Sequence, residues 1–374
     1  MTLATTDIHH RAKEMAPSTT PPAGMTDLRN LTRLQLTDRL AQWGITATNA
    51  AHLFRLLQQP GVHRLHDLAG LVKRQTRDQL AHRAFVSTLT PSHTERSEDG
   101  TVKFAFGLPC GATIESVLIP TTHLRHTLCI SSQAGCAMGC RFCLTGAMGF
   151  KRNLTPAEMV NQVLAAMEYM IASGVVRATP RELINNLVFM GMGEPLANYD
   201  HLLTALAILM DEQGLEFTER RVTVSTCGLV PRIGDLGRDV RVNLAISLHA
   251  ADDATRDQLM PVNRTYPLET LLAACREFPL RKGKVILMEY ILIKGINDSA
   301  ATARLLADRL EGIPCRINLL PYNETESLPY ERPEPEQIKS FQKILRDRGY
   351  LALVRDSRGA DISAACGQLA GRSA

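Results

Sequence analysis

Three cysteines within eight residues carry the strongest chemical signal in this chain. They lie in Cys136-Ala-Met-Gly-Cys140-Arg-Phe-Cys143, spaced Cys-x3-Cys-x2-Cys. Thiolates are soft ligands that select iron–sulfur clusters, zinc or Cu(I). A [4Fe–4S] cluster takes four ligands, so three thiolates in one short loop leave one iron open to another group. Zinc competes for the same residues, but a structural zinc site wants a fourth Cys or His, usually from a distant second pair. No such pair is visible. Reduced structural thiols are the third reading, and the spacing favours the open-site cluster.

Residues at the ends of apolar runs form a second set. Leu187-Val188-Phe189-Met190 leads into Gly191-Met192-Gly193-Glu194-Pro195, Arg221 to Ser225 into Thr226-Cys227, Val242 to Ile246 into Ser247-Leu248-His249, and Arg316 to Leu320 into Pro321-Tyr322-Asn323. Two glycines let backbone approach a ligand closely, and Glu194 offers a carboxylate to an ammonium group. A Gly-x-Gly alone is also explained by a tight turn, and a lone His249 by a structural hydrogen bond. Four polar run-ends in one chain with a cysteine loop are harder to explain as packing.

The elements that must position these residues follow from the hydrophobic pattern. Thr127-Leu128-Cys129-Ile130 is a short apolar strand leading into the cysteine loop. Thr155-Pro156-Ala157-Glu158 is a capping box with proline at the first helical position, so a helix is predicted from there to Ala172. Further strands are expected at 187–190, 221–225, 242–247, 285–293, 316–320 and 351–354. Helices are expected near 202–210, 252–260, 268–278, 299–310 and 335–348. Strands alternating with helices imply a parallel α/β fold, and six or seven of them suit an incomplete barrel better than an eightfold one. Barrel sites lie at the C-terminal strand ends, where the cysteine loop and the polar run-ends fall.

The N-terminal part differs. Residues 1–25 are rich in Thr, Ser, Pro and Ala and read as a disordered tail. From 26 to 90 the pattern is helical. The stretch 91–127 contains an alternating run at Val102–Phe106 and another strand at Ile114–Ile119, a β-hairpin linker that carries Glu115. Residues 128–374 form the main α/β domain. Residues 1–90 hold 11 Lys/Arg against 6 Asp/Glu, a net of +5, while the remaining 284 sum to −1. A basic appendage on a near-neutral body fits a polyanion such as RNA, or simply a solvated helical surface.

Composition bounds the rest. The 374 residues, 45% hydrophobic, can bury a sizeable core, and with 5% aromatics that core is mainly aliphatic. Met1–Met15 contains charged residues and no apolar core, unlike a secretory signal, and no apolar run approaches the roughly 18 residues of a membrane span. The expectation is a cytoplasmic protein with no membrane contact. Disulfides are rare there, so the nine cysteines read as ligands, catalytic thiols or packing residues.

The cysteine loop on a partial barrel, with a Gly-Glu-Pro turn after the next strand, resembles the radical S-adenosylmethionine (SAM) enzymes. Four motifs narrow the likeness: Ser131-Ser132-Gln133-Ala134-Gly135-Cys136, Met190 to Leu196, Ile246-Ser247-Leu248-His249-Ala250 and Ala364-Ala365-Cys366-Gly367-Gln368-Leu369-Ala370-Gly371. Together, in order and spacing, they resemble the RlmN/Cfr family of RNA adenine methyltransferases over about Leu31 to Gly371. The likeness implies an α/β fold with an incomplete (βα)6-type radical SAM barrel, a small helical N-terminal domain and a short β extension. It also implies a [4Fe–4S] cluster on Cys136, Cys140 and Cys143, with SAM on the open iron. Gly193, Glu194, Ser225, Ser247, Leu248, His249 and Asn323 are the implied SAM contacts.

Adenine C2 is electron-poor and has no lone pair with which to displace a methyl group. The family's implied solution consumes two SAM molecules per turnover. One methylates Cys366. The other is cleaved to a radical that takes hydrogen from that methyl, and the resulting carbon adds to C2. Glu115 is the implied proton acceptor, and Cys129 the resolving thiol that forms a transient disulfide with Cys366. The implied substrates are 23S rRNA and tRNA, with a low-potential flavodoxin- or ferredoxin-like electron donor and a monomeric enzyme. The adenine must leave its stack to react, and Arg355 and Arg358 are candidate phosphate contacts. Eight residues follow Cys366 where some relatives carry a basic helical extension, so RNA grip is assigned to residues 1–90. Alternatives are methylation at C8 by the same thiols, and a non-catalytic iron–sulfur or zinc RNA-binding protein. Cys110, Cys227, Cys275 and Cys315 are read as packing residues.

Overall fold

The structure is a computed structural model that describes residues 24–121, 125–176 and 180–370. Most of the tail assigned to residues 1–25 lies outside the described residues. Its centre is one ten-stranded sheet whose spatial order follows the chain order without a reversal. The strands are β1 (His93–Arg96), β2 (Val102–Gly107), β3 (Thr113–Thr121), β4 (Arg125–Cys129), β5 (Asn186–Phe189), β6 (Val222–Thr226), β7 (Asn243–Ser247), β8 (Ile286–Leu292), β9 (Cys315–Pro321) and β10 (Ala352–Val354). From β4 to β10 every neighbouring pair is parallel. A doubly wound sheet would reverse its order at a switch point; this one winds in a single direction, as barrel strands do.

Helices fill each crossover: α4 (Pro156–Ala172), α5 (Tyr199–Leu209), α6 (Val230–Asp239), α7 (Asp253–Leu259) with α8 (Leu268–Glu277), α9 (Ala300–Arg309) and α10 (Pro335–Asp347). The capping box of Thr155 and Glu158 opens α4 with Pro156 at its first position. Helix α6, which contains Pro231, Gly234 and Gly237, is not among the expected elements. Gly237 is needed there, since a Cβ would sit 2.6 Å from Pro279 Cδ.

Side chains alternate across a strand, and the register sorts them. Leu187, Phe189, Val222, Val224, Leu244, Ile246, Met288, Tyr290, Ile317 and Leu319 are buried in the main core beneath the helices. Their alternates line the other face. There Ser247, Glu289 and Asn318 stand side by side on β7, β8 and β9, and Cys129, Val188 and Thr223 on β4, β5 and β6. A smaller apolar group (Phe142, Cys227, Leu259, Met260, Val262, Ile291, Ile293, Tyr322) closes the site end around Cys140 and Cys143.

The segment 91–127 is more than a hairpin. Strands β1 to β4 run antiparallel, each to its neighbour, so that β1 to β3 extend the same sheet at its edge. Backbone pairing therefore fixes Glu115 relative to Cys129.

The helical region contains α1 (Arg33–Gln42), α2 (Ala47–Leu57) and α3 (Arg74–Ala81), closed by parallel pairing of Thr26–Asp27 with Ala84–Phe85. It is docked on α4. Arg29, 2% exposed, donates to the carbonyls of Leu57 (2.9 Å), Val62 (2.6 Å) and Ser87 (2.8 Å) and to Asn161 Oδ1 of α4 (3.1 Å). Asn30 Oδ1 accepts from the Ala157 N–H, Glu168 accepts from the Gly61 N–H, and Arg33 pairs with Asp211. Among the described residues no helix is long and apolar enough to cross a membrane.

Candidate active site

The cysteine loop leaves β4 and is zipped to the turn after β5. Ser132 and Gln133 donate backbone N–H groups to the Met192 carbonyl (2.9 and 3.2 Å), Ser131 Oγ accepts from the Met192 N–H (2.9 Å), and Gln133 Oε1 accepts from the Glu194 N–H (2.9 Å). The contact is so close that Gly191 and Gly193 tolerate no side chain. A Cβ on Gly191 would lie 2.7 Å from the Ile130 backbone, and one on Gly193, at φ +98°, 2.5 Å from Gln133 Cβ. A short antiparallel pair, Gln133–Gly135 with Phe150–Asn153, braces the loop from outside. The sequence reading contained no such pair.

Cys136, Cys140 and Cys143 are partly exposed neighbours. Burial, then the adjacent Cys143 and Cys136, raise the Cys140 thiol well above its ordinary value, and burial pushes Cys136 up to about 11. Among the described residues no three His, Cys, Asp or Glu side chains are drawn to a common point. The donor set suits an iron–sulfur cluster by chemistry: three soft thiols on one loop, with no acid or histidine interposed. Ser132 Oγ and Gln368 Oε1, on the segments that flank the cysteine loop, are buried with no hydrogen-bond partner among the described residues.

Glu194 is buried, its Oε1 accepting from the Leu196 N–H (3.0 Å) and Oε2 from the Cys227 N–H (2.8 Å). Burial raises its pKa and these bonds oppose the rise. Ser225 is buried on the inward face of β6, and Ser247 half-buried at the end of β7. His249 adopts the left-handed backbone region at φ +60°. Its Nδ1 accepts from the Ile291 N–H (3.0 Å), which leaves the proton on Nε2, and its ring meets Phe142 edge-on at 4.9 Å. Burial, then the positive charge of Arg256, push its pKa down to about 3, so the imidazole is neutral. Asn323 is half-buried and accepts from Ser357 Oγ.

The C-terminal segment brings in the remaining residues. Asp361 accepts from Ser97 Oγ (2.6 Å), and Lys103 Nζ donates to the Ile362 carbonyl (2.6 Å). The segment then crosses the cysteine loop, where Gly367 O accepts from the Leu144 N–H (2.8 Å) and Leu369 O from Thr145 Oγ1 (2.6 Å). It ends on Glu115, whose Oε2 accepts from the Ala370 N–H (2.9 Å). Glu115 is 3% exposed on the inward face of β3, although a strand glutamate would ordinarily face solvent. Cys366 is exposed on this crossing segment, within electrostatic reach of Glu289 and Cys143. Cys129 is buried, its thiol raised by burial and then by the charge of Cys366. Both thiols are free.

One expectation changes, and two arginines gain partners. Cys110 is exposed, not packed, and its Sγ accepts from Arg152 Nε at 3.2 Å. Arg355 spends its Nε on Asn318 Oδ1 (3.1 Å), and Arg358 faces Asp99 at 3.8 Å, so both are partly engaged within the protein. Sequence reading also missed Gln133, which fixes the Glu194 turn, and the buried pair of Glu289 with Asn318 (2.7 Å). Gln133 lies inside a motif already singled out. Glu289 interrupts an otherwise apolar strand, and that interruption was its available signal. A cavity of about 410 Å³ opens beside the Glu194 turn and is lined by Asn153, Leu196, Tyr199, His201, Arg232 and Tyr266 among others.

The chain is similar to proteins of known family. Residues 130–306 match the model of the Radical SAM superfamily. A dual-specificity RNA methyltransferase RlmN of Desulfotalea psychrophila is 50% identical over 344 residues, 92% of this chain and 94% of the relative. One from Anaeromyxobacter sp. is 50% identical over 356 residues, 95% and 93% of the two chains. The crystal structure of a radical SAM methyltransferase from Sphaerobacter thermophilus superimposes with a TM-score of 0.85 at 44% identity, covering 93% of this chain and all of that one.

Proposed function

Given that the chain belongs to the RlmN family of radical SAM proteins, we propose that it methylates C2 of adenine in 23S rRNA and in tRNA. The observation that carries this reading is the convergence on one sheet face of the cysteine loop, the Glu194 turn, Glu115 and two free thiols, Cys129 and Cys366. When bound, a [4Fe–4S] cluster and SAM supply the methyl group and the radical chemistry. Cys136, Cys140 and Cys143 would hold the cluster. Glu194, Gly193, Ser225, Ser247, Leu248, His249 and Asn323 would hold SAM, with neutral His249 able to donate from Nε2 but carrying no charge.

The chain's own residues perform the rest. The Cys366 sulfur carries the methyl-derived carbon to C2 and is linked to the base. The Glu115 carboxylate accepts the C2 proton. The Cys129 sulfur, as its thiolate, attacks the Cys366 sulfur; the carbon–sulfur bond breaks with its electron pair on the carbon, which takes up a proton to become the C2 methyl group, and a Cys129–Cys366 disulfide remains. A two-electron reduction of that disulfide restores both thiols. Burial keeps Cys129 protonated at rest, which suits a thiol that must react only after Cys366 is loaded. The helical region, with Arg355 and Arg358, would contact the RNA backbone. The domain limits given above, a monomeric state, a cytoplasmic setting and a flavodoxin- or ferredoxin-like electron donor belong to the same proposal.

The test is mass spectrometry of nuclease-digested RNA from cells with and without the protein. The expected product is 2-methyladenosine; 8-methyladenosine in its place would refute the regiochemistry. Anaerobic reconstitution separates the enzyme from a binding protein. About four iron and four sulfide per chain are expected, with loss of both in Cys140→Ala, whereas one zinc and no SAM cleavage would sink the reading.

A further inference from the structure

Arg256, on α7, is fully buried, and among the described residues its guanidinium hydrogen-bonds to no carboxylate. Its Nη2 donates to the carbonyls of Cys227 (2.7 Å) and Ser247 (3.3 Å), its Nε to the carbonyl of Leu248 (3.1 Å), and its Nη1 to Asn263 Oδ1 (2.9 Å). Desolvating a guanidinium costs several kcal/mol unless every donor is satisfied, and a buried arginine usually sits against an acid. Here the acids stand one residue back: Asn263 Nδ2 donates to Asp253 (2.9 Å) and Asp257 (2.7 Å). The planar fork is thus spent on backbone carbonyls from two separate strand ends.

Those strand ends belong to the proposed SAM site. Cys227, whose carbonyl accepts from Arg256, donates its N–H to Glu194 Oε2 at 2.8 Å. Ser247 and Leu248 precede His249, whose left-handed backbone is held by Asn297 at its carbonyl (2.8 Å). At the far end of α7, the Leu259 carbonyl accepts from the Arg141 N–H of the cysteine loop at 2.9 Å. One helix therefore joins the loop of the three thiols, the Glu194 carboxylate and the β7 end.

We infer that Arg256 is a positioning residue, which locks the ends of β6 and β7 against Glu194 and the cysteine loop so that SAM binds in a single pose. The inference rests on the SAM-dependent function proposed above. Lysine would not replace it, because an ammonium is a point donor and cannot span carbonyls on two strand ends.

The test uses the anaerobically reconstituted full chain and measures the SAM dissociation constant by equilibrium dialysis, alongside iron content and thermal melting. Arg256→Lys is expected to raise the SAM constant by roughly 10- to 100-fold, the range seen when residues supporting a site's ligands are removed. KM for SAM should rise while KM for RNA holds, and more 5′-deoxyadenosine should form per methyladenosine. Asn263→Ala removes one of the four partners and keeps the arginine. It should shift SAM affinity in the same direction by less, and it serves if Arg256→Lys does not fold. A folded variant pair with SAM affinity within about two-fold of wild type would overturn the inference. So would an equal loss of SAM and RNA affinity in step with the melting temperature, which is the mark of a general fold defect. Wild-type protein that binds no SAM overturns the functional reading and this inference with it.

Discussion

Replacing Arg29 by methionine tests whether the helical region is a fixed part of the enzyme or a loosely attached arm. The guanidinium makes four hydrogen bonds to buried acceptors, the carbonyls of Leu57, Val62 and Ser87 and the side chain of Asn161. Methionine fills similar volume and orphans all four. At about 1.5 kcal/mol for each buried acceptor left unsatisfied, the loss is roughly 6 kcal/mol. Against this stands the relief of a buried charge. Burial pushes the Arg29 pKa from 12.5 to about 10, and at 1.36 kcal/mol per pH unit that strain is worth about 3 kcal/mol. The net expectation is a destabilisation of about 3 kcal/mol, concentrated where the helical region meets α4. Urea denaturation followed by two probes should show an early transition in this region, and limited proteolysis should cut within residues 24–90 before the barrel. The RNA dissociation constant should rise and that of SAM should hold. A variant with less than about 1 kcal/mol of lost stability, wild-type protease resistance and unchanged RNA affinity would show that the docking bonds do not hold the domain in place.

Three further outcomes are expected. Cys129→Ala should stall the last step and leave RNA covalently attached to Cys366, visible as a slower band on a denaturing gel; intact turnover without that band would exclude the resolving role. Gly193→Ala must place a Cβ 2.5 Å from Gln133 at φ +98°, which should cost about 2 kcal/mol or more and appear as lost SAM binding in calorimetry. For His249, the folded pKa of about 3 lies below the ordinary 6.5, so the unfolded chain binds the extra proton. Stability from this residue is complete above pH 6.5 and falls as pH drops toward 3, by about 2 kcal/mol between pH 6.5 and 5. A His249→Gln variant whose stability falls equally over that interval would assign the slope to other groups.

Much of the site was legible in the sequence because it lies on consecutive residues or at the ends of periodic runs. The Cys-x3-Cys-x2-Cys spacing named a soft-ligand loop without any fold, and the alternation of strands with helices required a parallel sheet whose C-terminal ends gather Glu194, Ser225, Ser247, His249 and Asn323. The capping box at Thr155 placed the start of α4 at Pro156. The number of these alternations also implied an incomplete barrel.

Tertiary structure alone decided the rest, because the deciding interactions are between residues far apart in the chain. Nothing near Glu115 indicates burial; the Ala370 N–H, 255 positions away, reaches its carboxylate. Cys366 is a cysteine among small residues until Asp361, Gly367 and Leu369 fasten its segment across the extension and the cysteine loop. The extension itself reads as a hairpin locally, and only backbone pairing to β4 makes it part of the barrel sheet. Arg256 was invisible for the same reason: a helix-surface arginine and a buried clamp have the same local sequence, and what distinguishes them is which carbonyls the fold brings within 3 Å.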